Sequence, residues 1–164
     1  MERIWAPWRM EYISGESAKR LPEGACVFCH KWEETDDAEN LVLCRGETCY
    51  LLMNLFPYTN GHLMVAPARH TSDFHSLSEA EQLEMFSLTQ KGLAALRRAM
   101  NPDGFNLGMN LGRTAGAGIE EHLHLHIVPR WNGDTNFMSV LGETRVISEA
   151  IQESYEKLAE ALSG

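Results

Sequence analysis

The chain has 164 residues, of which 44% are hydrophobic and 23% are charged, values typical of one soluble globular domain and not of disordered or fibrous proteins. A formal net charge of -9 excludes the broad basic surface that sequence-independent nucleic-acid binding needs. No apolar run is long enough to span a membrane, and charges interrupt the aromatic N-terminus. We therefore expect a cytoplasmic chain without nucleic-acid or membrane partners.

The first half of the chain is predicted to contain an arm, a cysteine pair and three short strands. We expect residues 1–164 to form a single domain in which 1–23 is an N-terminal arm. Short apolar runs separated by turn residues then predict strands over 40–44, 48–53 and 61–66.

The second half is predicted to alternate helix, strands and helix. Ser78 and Glu81 have the spacing of a capping box and begin one long amphipathic helix that ends near residue 101. Its predicted apolar stripe consists of Leu83, Phe86, Leu93, Leu96 and Met100. Alternating residues predict strands over 105–111 and 122–128, and a C-terminal helix carries Ile147, Ile151, Tyr155, Leu158 and Leu162. We expect an α+β fold with a mainly antiparallel sheet of about five strands.

Three of the seven histidines lie in the segment His122-Leu123-His124-Leu125-His126. In a strand, side chains two residues apart share a face, so the imidazoles point one way and the leucines the other. One interpretation is a catalytic zinc, but the outer two positions lie ~13 Å apart and zinc–nitrogen bonds are only ~2 Å long. A second interpretation is a nucleophilic His124 that faces an open cleft and attacks phosphorus, with a neighbouring histidine donating to phosphate oxygens. The non-functional alternative is a strand whose solvated polar face is rich in histidine.

Cys26 and Cys29 form a Cys-x-x-Cys motif, which is typical of a metal site or a redox pair. A redox pair is expected at a helix N-terminus in a βαβ unit, and that pattern is absent here. Structural zinc needs four ligands, and the candidates for the other two are His70 and His122, with His30 and His75 as alternatives. The remaining cysteines lie on predicted strands, where we expect buried apolar residues: Cys44 and Cys49.

The sequence resembles the histidine triad family, whose motif is His-x-His-x-His followed by apolar residues and is HLHLHIV here. The segments 54–70 and 104–112 are similar to the family's strand–turn–strand and to its strand before the phosphate loop, so the resemblance covers about 24–131. It implies a phosphohydrolase or phosphorylase of dinucleoside polyphosphates or related nucleotide-phosphate conjugates. The alternatives are a nucleotidyltransferase to a sugar phosphate and a non-catalytic nucleotide-binding scaffold.

The resemblance also implies roles for single residues. His124 would attack the α-phosphorus and form a nucleotidyl-histidine, in a catalytic triad with His122 and His126. His126 and Asn110 would hold phosphate oxygens. Asn54 and His62 would lie along the nucleoside, unless Asn54 only caps a turn and His62 only fills the sheet.

The loop before the triad is rich in glycine and is a candidate anion cradle. Gly116 and Gly118 would let backbone N–H groups approach a phosphate, and Arg113 could add charge. An ordinary flexible loop is the alternative. Many family members carry Gly-Gln-Ser/Thr before the first triad histidine, whereas residues 117–121 are Ala-Gly-Ile-Glu-Glu here.

The segments 4–10 and 129–137 are similar to a bacterial branch of the family that includes diadenosine tetraphosphate phosphorylases. In that branch inorganic phosphate, not water, would open the intermediate, and Trp131 would lie near the phosphate or base or act as a buried hinge. The aromatic residues of the arm would anchor its packing: Trp5, Trp8 and Tyr12.

Two further expectations follow from the resemblance. Zinc-bearing members and the related galactose-1-phosphate uridylyltransferases use a Cys pair, a distant histidine and the first triad histidine, which implies a structural zinc here at Cys26, Cys29, His70 and His122. Family members commonly pair as two-fold dimers that continue the sheet, which implies a homodimer.

Overall fold

A computed structural model describes residues 24–135 and 147–164. The predicted arm, with Trp5, Trp8 and Tyr12, and the end of the 129–137 segment lie outside the described residues. Within the described ranges no helix combines the length and the apolar character that crossing a membrane requires. The elements are, in chain order, α1 (Val27–Glu33), α2 (Asp37–Asn40), β1 (Val42–Arg45), β2 (Cys49–Met53), β3 (Leu63–Pro67), α3 (Glu79–Met100), β4 (Gly104–Gly108), β5 (Leu125–Arg130) and α4 (Ile151–Ser163).

The five strands form one sheet in the order β1-β2-β3-β5-β4, and every neighbouring pair is antiparallel. All residues of β2 and β3 are buried, because one face of the sheet packs on α3 and the other carries a second apolar cluster around Phe28 of α1. The predicted α+β fold with a mainly antiparallel sheet is confirmed. Predicted strand bounds shift by at most three residues.

Helix α3 begins with the predicted capping box, in which Ser78 and Glu81 bond each other's backbone, and it ends at Asn101 in the left-handed conformation. The predicted apolar stripe is wrong in part, since Leu83 and Phe86 are 75% and 65% exposed. The helix instead faces the sheet with Met85, Leu88, Gly92, Ala95 and Leu96.

Glycine 92 explains part of that difference. A Cβ at Gly92 would meet side chains of Ile127, Leu51 and Leu63 at 3.2–3.3 Å, so the helix approaches the sheet closely where it has no side chain. Because glycine has no side chain, it adds nothing to the hydrophobic periodicity of α3. The helix face that packs on the sheet is therefore hard to predict from the sequence.

The histidine segment differs from a regular strand. Strand β5 begins at Leu125, so His122 and His124 precede its hydrogen-bonded part. The alternation nevertheless continues, because Leu123 packs in the cluster beneath α3 whereas the rings of His122 and His124 contact Phe28 on the other face. The N–H of Leu123 donates to the carbonyl of Thr71 at 2.7 Å. At the other end of the chain, Ile147 is half-buried and precedes α4 rather than belonging to it.

The turn between β1 and β2 is held by Glu84 of α3. Its carboxylate accepts hydrogen bonds from the N–H groups of Glu47, Thr48 and Cys49 at 2.8, 2.6 and 2.8 Å. Burial by itself raises the pKa of Glu84, but the hydrogen bonds from the Thr48 hydroxyl and from the three N–H groups lower this pKa to about 2. A Cβ at Gly46 would lie 2.2 Å from the carboxylate, so a side chain there would displace Glu84 from these bonds.

Replacing Glu84 by glutamine is expected to destabilise the fold by about 1–3 kcal/mol at pH 7, because an amide nitrogen cannot accept these bonds. Since the folded pKa of Glu84 is depressed, its stabilisation is complete above the ordinary value of 4.5 and is lost as pH falls towards about 2. Urea denaturation should therefore show a smaller difference between the two proteins at pH 3 than at pH 7. Glu79→Gln, at an exposed position of the same helix, is the control, and equal losses in both variants would contradict the assignment.

Candidate functional site

Four side chains from separate parts of the chain converge beside the start of β5. They are Cys26 and Cys29 at the start of α1, His70 after β3 and His122 before β5, and their ligand atoms all lie within 4.8 Å of one another. Nδ1 of His122 lies 3.3 Å and 3.6 Å from Sγ of Cys26 and Cys29, and Nδ1 of His70 lies 3.3 Å from Sγ of Cys29. These are the four predicted ligands, and together they form a possible metal site. His30, an alternative ligand, lies outside this group and contacts Glu34 instead.

The donor set fits a tetrahedral zinc ion. Zinc–sulfur bonds of ~2.3 Å and zinc–nitrogen bonds of ~2.0 Å place sulfur and nitrogen ligands ~3.5 Å apart, close to the observed separations. Nε2 of His122 donates to the carbonyl of Pro67 at 2.8 Å, which leaves Nδ1 with the lone pair that a metal needs. Burial and the neighbouring Cys26 raise the pKa of the Cys29 thiol to about 11, so a cation is the partner that would stabilise its thiolate.

The loop that carries His70 is tied to α3 by Arg69. The Arg69 guanidinium donates to both carboxylate oxygens of Glu81 at 3.0 Å and to the carbonyl of Ser76 at 3.0 Å. The Arg69 hydrogen bond is the main reason that the pKa of the buried Glu81 falls to about 2. The sequence does not indicate this pair, because the spacing of Glu81 from Ser78 points only to a capping box.

His124 is oriented by the backbone. Its Nδ1 donates to the carbonyl of His122 at 2.9 Å, so the neutral ring carries its proton on Nδ1 and its lone pair on Nε2. Burial lowers the pKa of His124 and favours this neutral form. His124 is only 7% exposed, and its ring centroid lies 4.8 Å from that of Phe28, so the expected open cleft does not lie at this ring itself but begins at the neighbouring His126.

A relay of hydrogen bonds holds His126 in the opposite tautomer. The N–H of Tyr58 donates to Nδ1 of His62 at 3.1 Å, and Nδ2 of Asn54 approaches the same atom at 3.3 Å. Nε2 of His62 must then carry the proton, and it donates to Nδ1 of His126 at 2.9 Å. His126 therefore holds its own proton on Nε2, a buried atom that has no hydrogen-bond partner in the described part of the chain. Burial lowers the pKa of His126 to about 4, so the ring stays neutral.

The two neighbouring rings are therefore expected to be opposite neutral tautomers, with hydrogen on Nδ1 of His124 and on Nε2 of His126. Long-range nitrogen–proton NMR correlations distinguish these forms at pH 7. His62→Phe removes the donor behind His126 and should produce a tautomer mixture at His126 while leaving His124 unchanged. The same tautomer in both rings of the wild-type protein would contradict the relay.

Comparison with known proteins agrees with this geometry. Residues 35–133 match the HIT domain family, which is more than half of the chain. The chain belongs to the HIT domain family. It is 39% identical over 162 residues to "AP-4-A phosphorylase" of Mycobacterium tuberculosis, a match that covers 97% of this chain and 83% of that relative. The resemblance to the histidine triad family and to its phosphorylase-containing bacterial branch is thereby confirmed.

Solved structures show the same HIT fold. A Zn-bound histidine triad family protein from Mycobacterium smegmatis is 27% identical, with a TM-score of 0.68 over 87% of this chain and 96% of that chain. A uridylyltransferase mutant is 17% identical, with a TM-score of 0.67 over 98% of this chain and 54% of that chain. At that identity the second likeness concerns the fold alone.

Several hydrogen-bond donors of the glycine loop bond to carbonyl groups of the same loop. The N–H groups of Gly116 and Ala117 bond carbonyls within the loop, and Nδ2 of Asn110 donates to the carbonyl of Gly116 at 3.4 Å. Arg113 does not direct its charge inward, because its side chain is 91% exposed and pairs with Glu120 at 2.9 Å. Gly118 is exposed. Phosphate contacts by Asn110, Gly116 and Gly118 stay predictions.

The predicted nucleoside residues occupy two different settings. Oδ1 of Asn54 accepts the N–H of Phe56 at 3.0 Å, so this side chain caps the turn, and its nucleoside contact stays a prediction. His62 is 0% exposed and lies behind His126, which corrects its expected position along the nucleoside. Trp131 is half-buried, its Nε1 donates to the carbonyl of Met100 at 3.3 Å, and it lines a cleft that begins at His126.

Proposed function

We propose that this HIT protein cleaves dinucleoside polyphosphates, or related nucleotide-phosphate conjugates, through a covalent nucleotidyl-His124 intermediate. The observation that carries this proposal is the pair of opposite tautomers, which presents a lone pair on Nε2 of His124 beside a donor on Nε2 of His126. Family membership and the 39% identical phosphorylase support a nucleotide-processing enzyme.

In the first step Nε2 of His124 attacks the α-phosphorus. A nitrogen–phosphorus bond forms, and the bond from phosphorus to the bridging oxygen of the leaving polyphosphate breaks. His126 donates from Nε2 to an oxygen of the reacting phosphate, with Asn110 as the second proposed donor. A polyphosphate leaves as an anion that is stable near neutral pH, so segment 117–121 needs no hydroxyl or amide side chain to protonate it.

In the second step an oxygen of inorganic phosphate attacks the nucleotidyl group, and the nitrogen–phosphorus bond breaks. The products are a nucleoside diphosphate and free His124. Water as the acceptor would release a nucleoside monophosphate instead. The phosphorylase name of the 39% identical relative supports phosphate as the acceptor.

We propose zinc as the ion of the four-residue site, where Cys26, Cys29, His70 and His122 would hold it. The Cys₂His₂ donor set, the Nε2 bond of His122 to Pro67 and a Zn-bound family member support this choice. Bound zinc would supply a structural cross-link and no chemistry at phosphorus. It would fix α1, and with it Phe28, against the His124 ring.

We also propose a homodimer in which β4 strands of two chains meet. In the described sheet β4 is an edge strand, and its Leu107 is 50% exposed. An unpaired strand edge beside the catalytic strand can extend the sheet into a partner chain. Light scattering separates this dimer from a single chain of 18.5 kDa.

Product analysis tests the proposed activity. The purified protein is incubated with labelled diadenosine tetraphosphate, with and without inorganic phosphate. We expect ADP and ATP when phosphate is present, whereas AMP and ATP in both conditions would establish hydrolysis. Products that appear only with a sugar phosphate would favour the transferase alternative, and no turnover under any condition would favour the scaffold.

A further inference from the structure

Two large apolar side chains stand on the outer face of α3, away from the sheet. Leu83 is 75% and Phe86 is 65% exposed, more than any other large hydrophobic side chain in the described ranges. Single exposed apolar residues are common on protein surfaces, but residues three apart on a helix are neighbours and form one patch. This patch contains no residue of the proposed catalytic or metal site, so neither proposal accounts for it.

The patch belongs to a line of residues along α3, which we call the outer seam. Alternating steps of four and three residues continue from the patch in both directions and define the seam: Glu79, Leu83, Phe86, Gln90, Leu93 and Arg97. All but the half-buried Leu93 are exposed. This spacing is typical of a helix that packs lengthwise on a second helix. With 22 residues α3 is ~33 Å long, enough for three such repeats.

The two ends of the outer seam carry opposite charge. Glu79 is exposed in the first turn, whereas the carboxylates of Glu81 and Glu84 are directed to Arg69 and to the β1–β2 turn. The last ten residues of α3 include no acidic side chain and expose three cations: Lys91, Arg97 and Arg98. Antiparallel helices of this kind place the acidic end of each beside the basic end of the other, whereas parallel helices would oppose like charges.

We propose that the outer seam of α3 joins two copies of this chain, with their α3 helices packed antiparallel about a two-fold axis. The seam is self-complementary in this arrangement, as a two-fold interface requires. The seam lies on the helix layer and β4 lies at the edge of the sheet, so this contact and the proposed β4 pairing are separate interfaces. The inference does not depend on the proposed activity.

An axis beside residues 88 and 89 sets the register. Leu83 of one copy then lies opposite Ala94 of the other, and the ring of Phe86 lies against the aliphatic stem of Lys91. Glu79 lies opposite Arg98, which donates to the carbonyl of Ala161 and has further N–H donors for a carboxylate. The apolar contacts supply the affinity, and the charges select the antiparallel orientation.

Sedimentation equilibrium tests the interface by counting chains. At concentrations where the wild-type protein is fully associated, we expect the Leu83→Glu/Phe86→Glu variant to have half its molar mass, with a dissociation constant at least ~100-fold higher. Both side chains are exposed, so circular dichroism should show the wild-type secondary structure. Gln152→Glu adds negative charge to the exposed side of α4 and should leave the mass unchanged.

Charge reversal tests the antiparallel arrangement. Glu79→Arg and Arg98→Glu each place like charges opposite one another and should each raise the dissociation constant about 10-fold at low salt. The Glu79→Arg/Arg98→Glu double variant should return it to the wild-type value. Parallel helices would oppose like charges in all three variants, so equal dissociation constants throughout would reject the antiparallel arrangement.

A wild-type protein that sediments as a single chain at every concentration would overturn the inference. The seam would then have another occupant, either residues 1–23 of the same chain or a different protein. Wild-type mass in the Leu83→Glu/Phe86→Glu variant would overturn it as well. Leu107→Glu in β4 separates the two interfaces, because a protein that dissociates only in this variant keeps the proposed homodimer and rejects the seam.

Discussion

Replacing His124 by alanine is expected to lower turnover of diadenosine tetraphosphate by at least ~10³-fold, because the first step loses its nucleophile. The Nδ1 bond to the His122 carbonyl leaves the lone pair on Nε2 of His124, and neighbouring groups offer no equivalent lone pair. His126 carries a proton on the corresponding atom, and His122 has both nitrogens engaged, one by Pro67 and one by the metal site. Steady-state kinetics with both products quantified measures the loss.

The controls separate loss of chemistry from loss of fold. His124 is buried against Phe28, so His124→Gln is tested as well because it keeps most of the side-chain volume. Both variants should retain the wild-type metal content and a cooperative thermal transition. His75→Ala, on an exposed histidine outside the site, should have wild-type activity. Substantial turnover by a folded His124→Gln protein would reject the nucleophile assignment.

Replacing Cys29 by serine is expected to abolish stoichiometric zinc and to destabilise the protein by roughly 3 kcal/mol or more. For a chain of this length that corresponds to a fall in Tm of about 10 °C. Cys29 approaches both histidines of the quartet, so its loss disrupts the contact between α1 and β5. Elemental analysis and thermal denaturation, each with and without a chelator, measure the two effects.

Cys44→Ser is the matched control, because Cys44 is also half-buried but lies outside the quartet. It should retain zinc and show only the small cost of a polar atom in a partly apolar site. A chelator should lower the Tm of the wild-type and Cys44→Ser proteins and leave the Cys29→Ser protein almost unchanged. A Cys29→Ser protein with full zinc content would overturn the metal site.

The candidate site was predictable where spacing alone carries the chemistry. Alternation in HLHLH places three imidazoles on one face of an extended backbone, and this face is kept here although β5 begins only at Leu125. The Cys-x-x-Cys pair indicated a metal, and the structure brings both cysteines to His70 and His122. The histidine alternation and the cysteine pair each involve residues close in sequence. The metal site is also predictable because few residue types can serve as its ligands.

Other parts of the site depend on contacts between distant residues and carry no local signal. The tautomer of His126 is decided by His62, which lies 64 residues earlier in the chain. His62 is in turn held by the backbone N–H of Tyr58. The burial of His124 is decided by Phe28, which appears in the sequence only as an apolar residue between two cysteines. Leu83 and Phe86 are exposed because α3 packs on the sheet with the face that carries Gly92.

The sequence by itself determined the elements, the α+β class, the family resemblance and the identity of the side chains that can bind metal or attack phosphorus. Hydrophobic periodicity and motif spacing are properties of short chain segments, so they can be recognised in the sequence without knowledge of the fold. Only the tertiary structure decided which nitrogen of each histidine carries its proton, which faces are buried and where a cleft opens beyond His126. Hydrogen-bond partners and burial are set by groups far apart in the chain, and it is their positions in space that orient each imidazole.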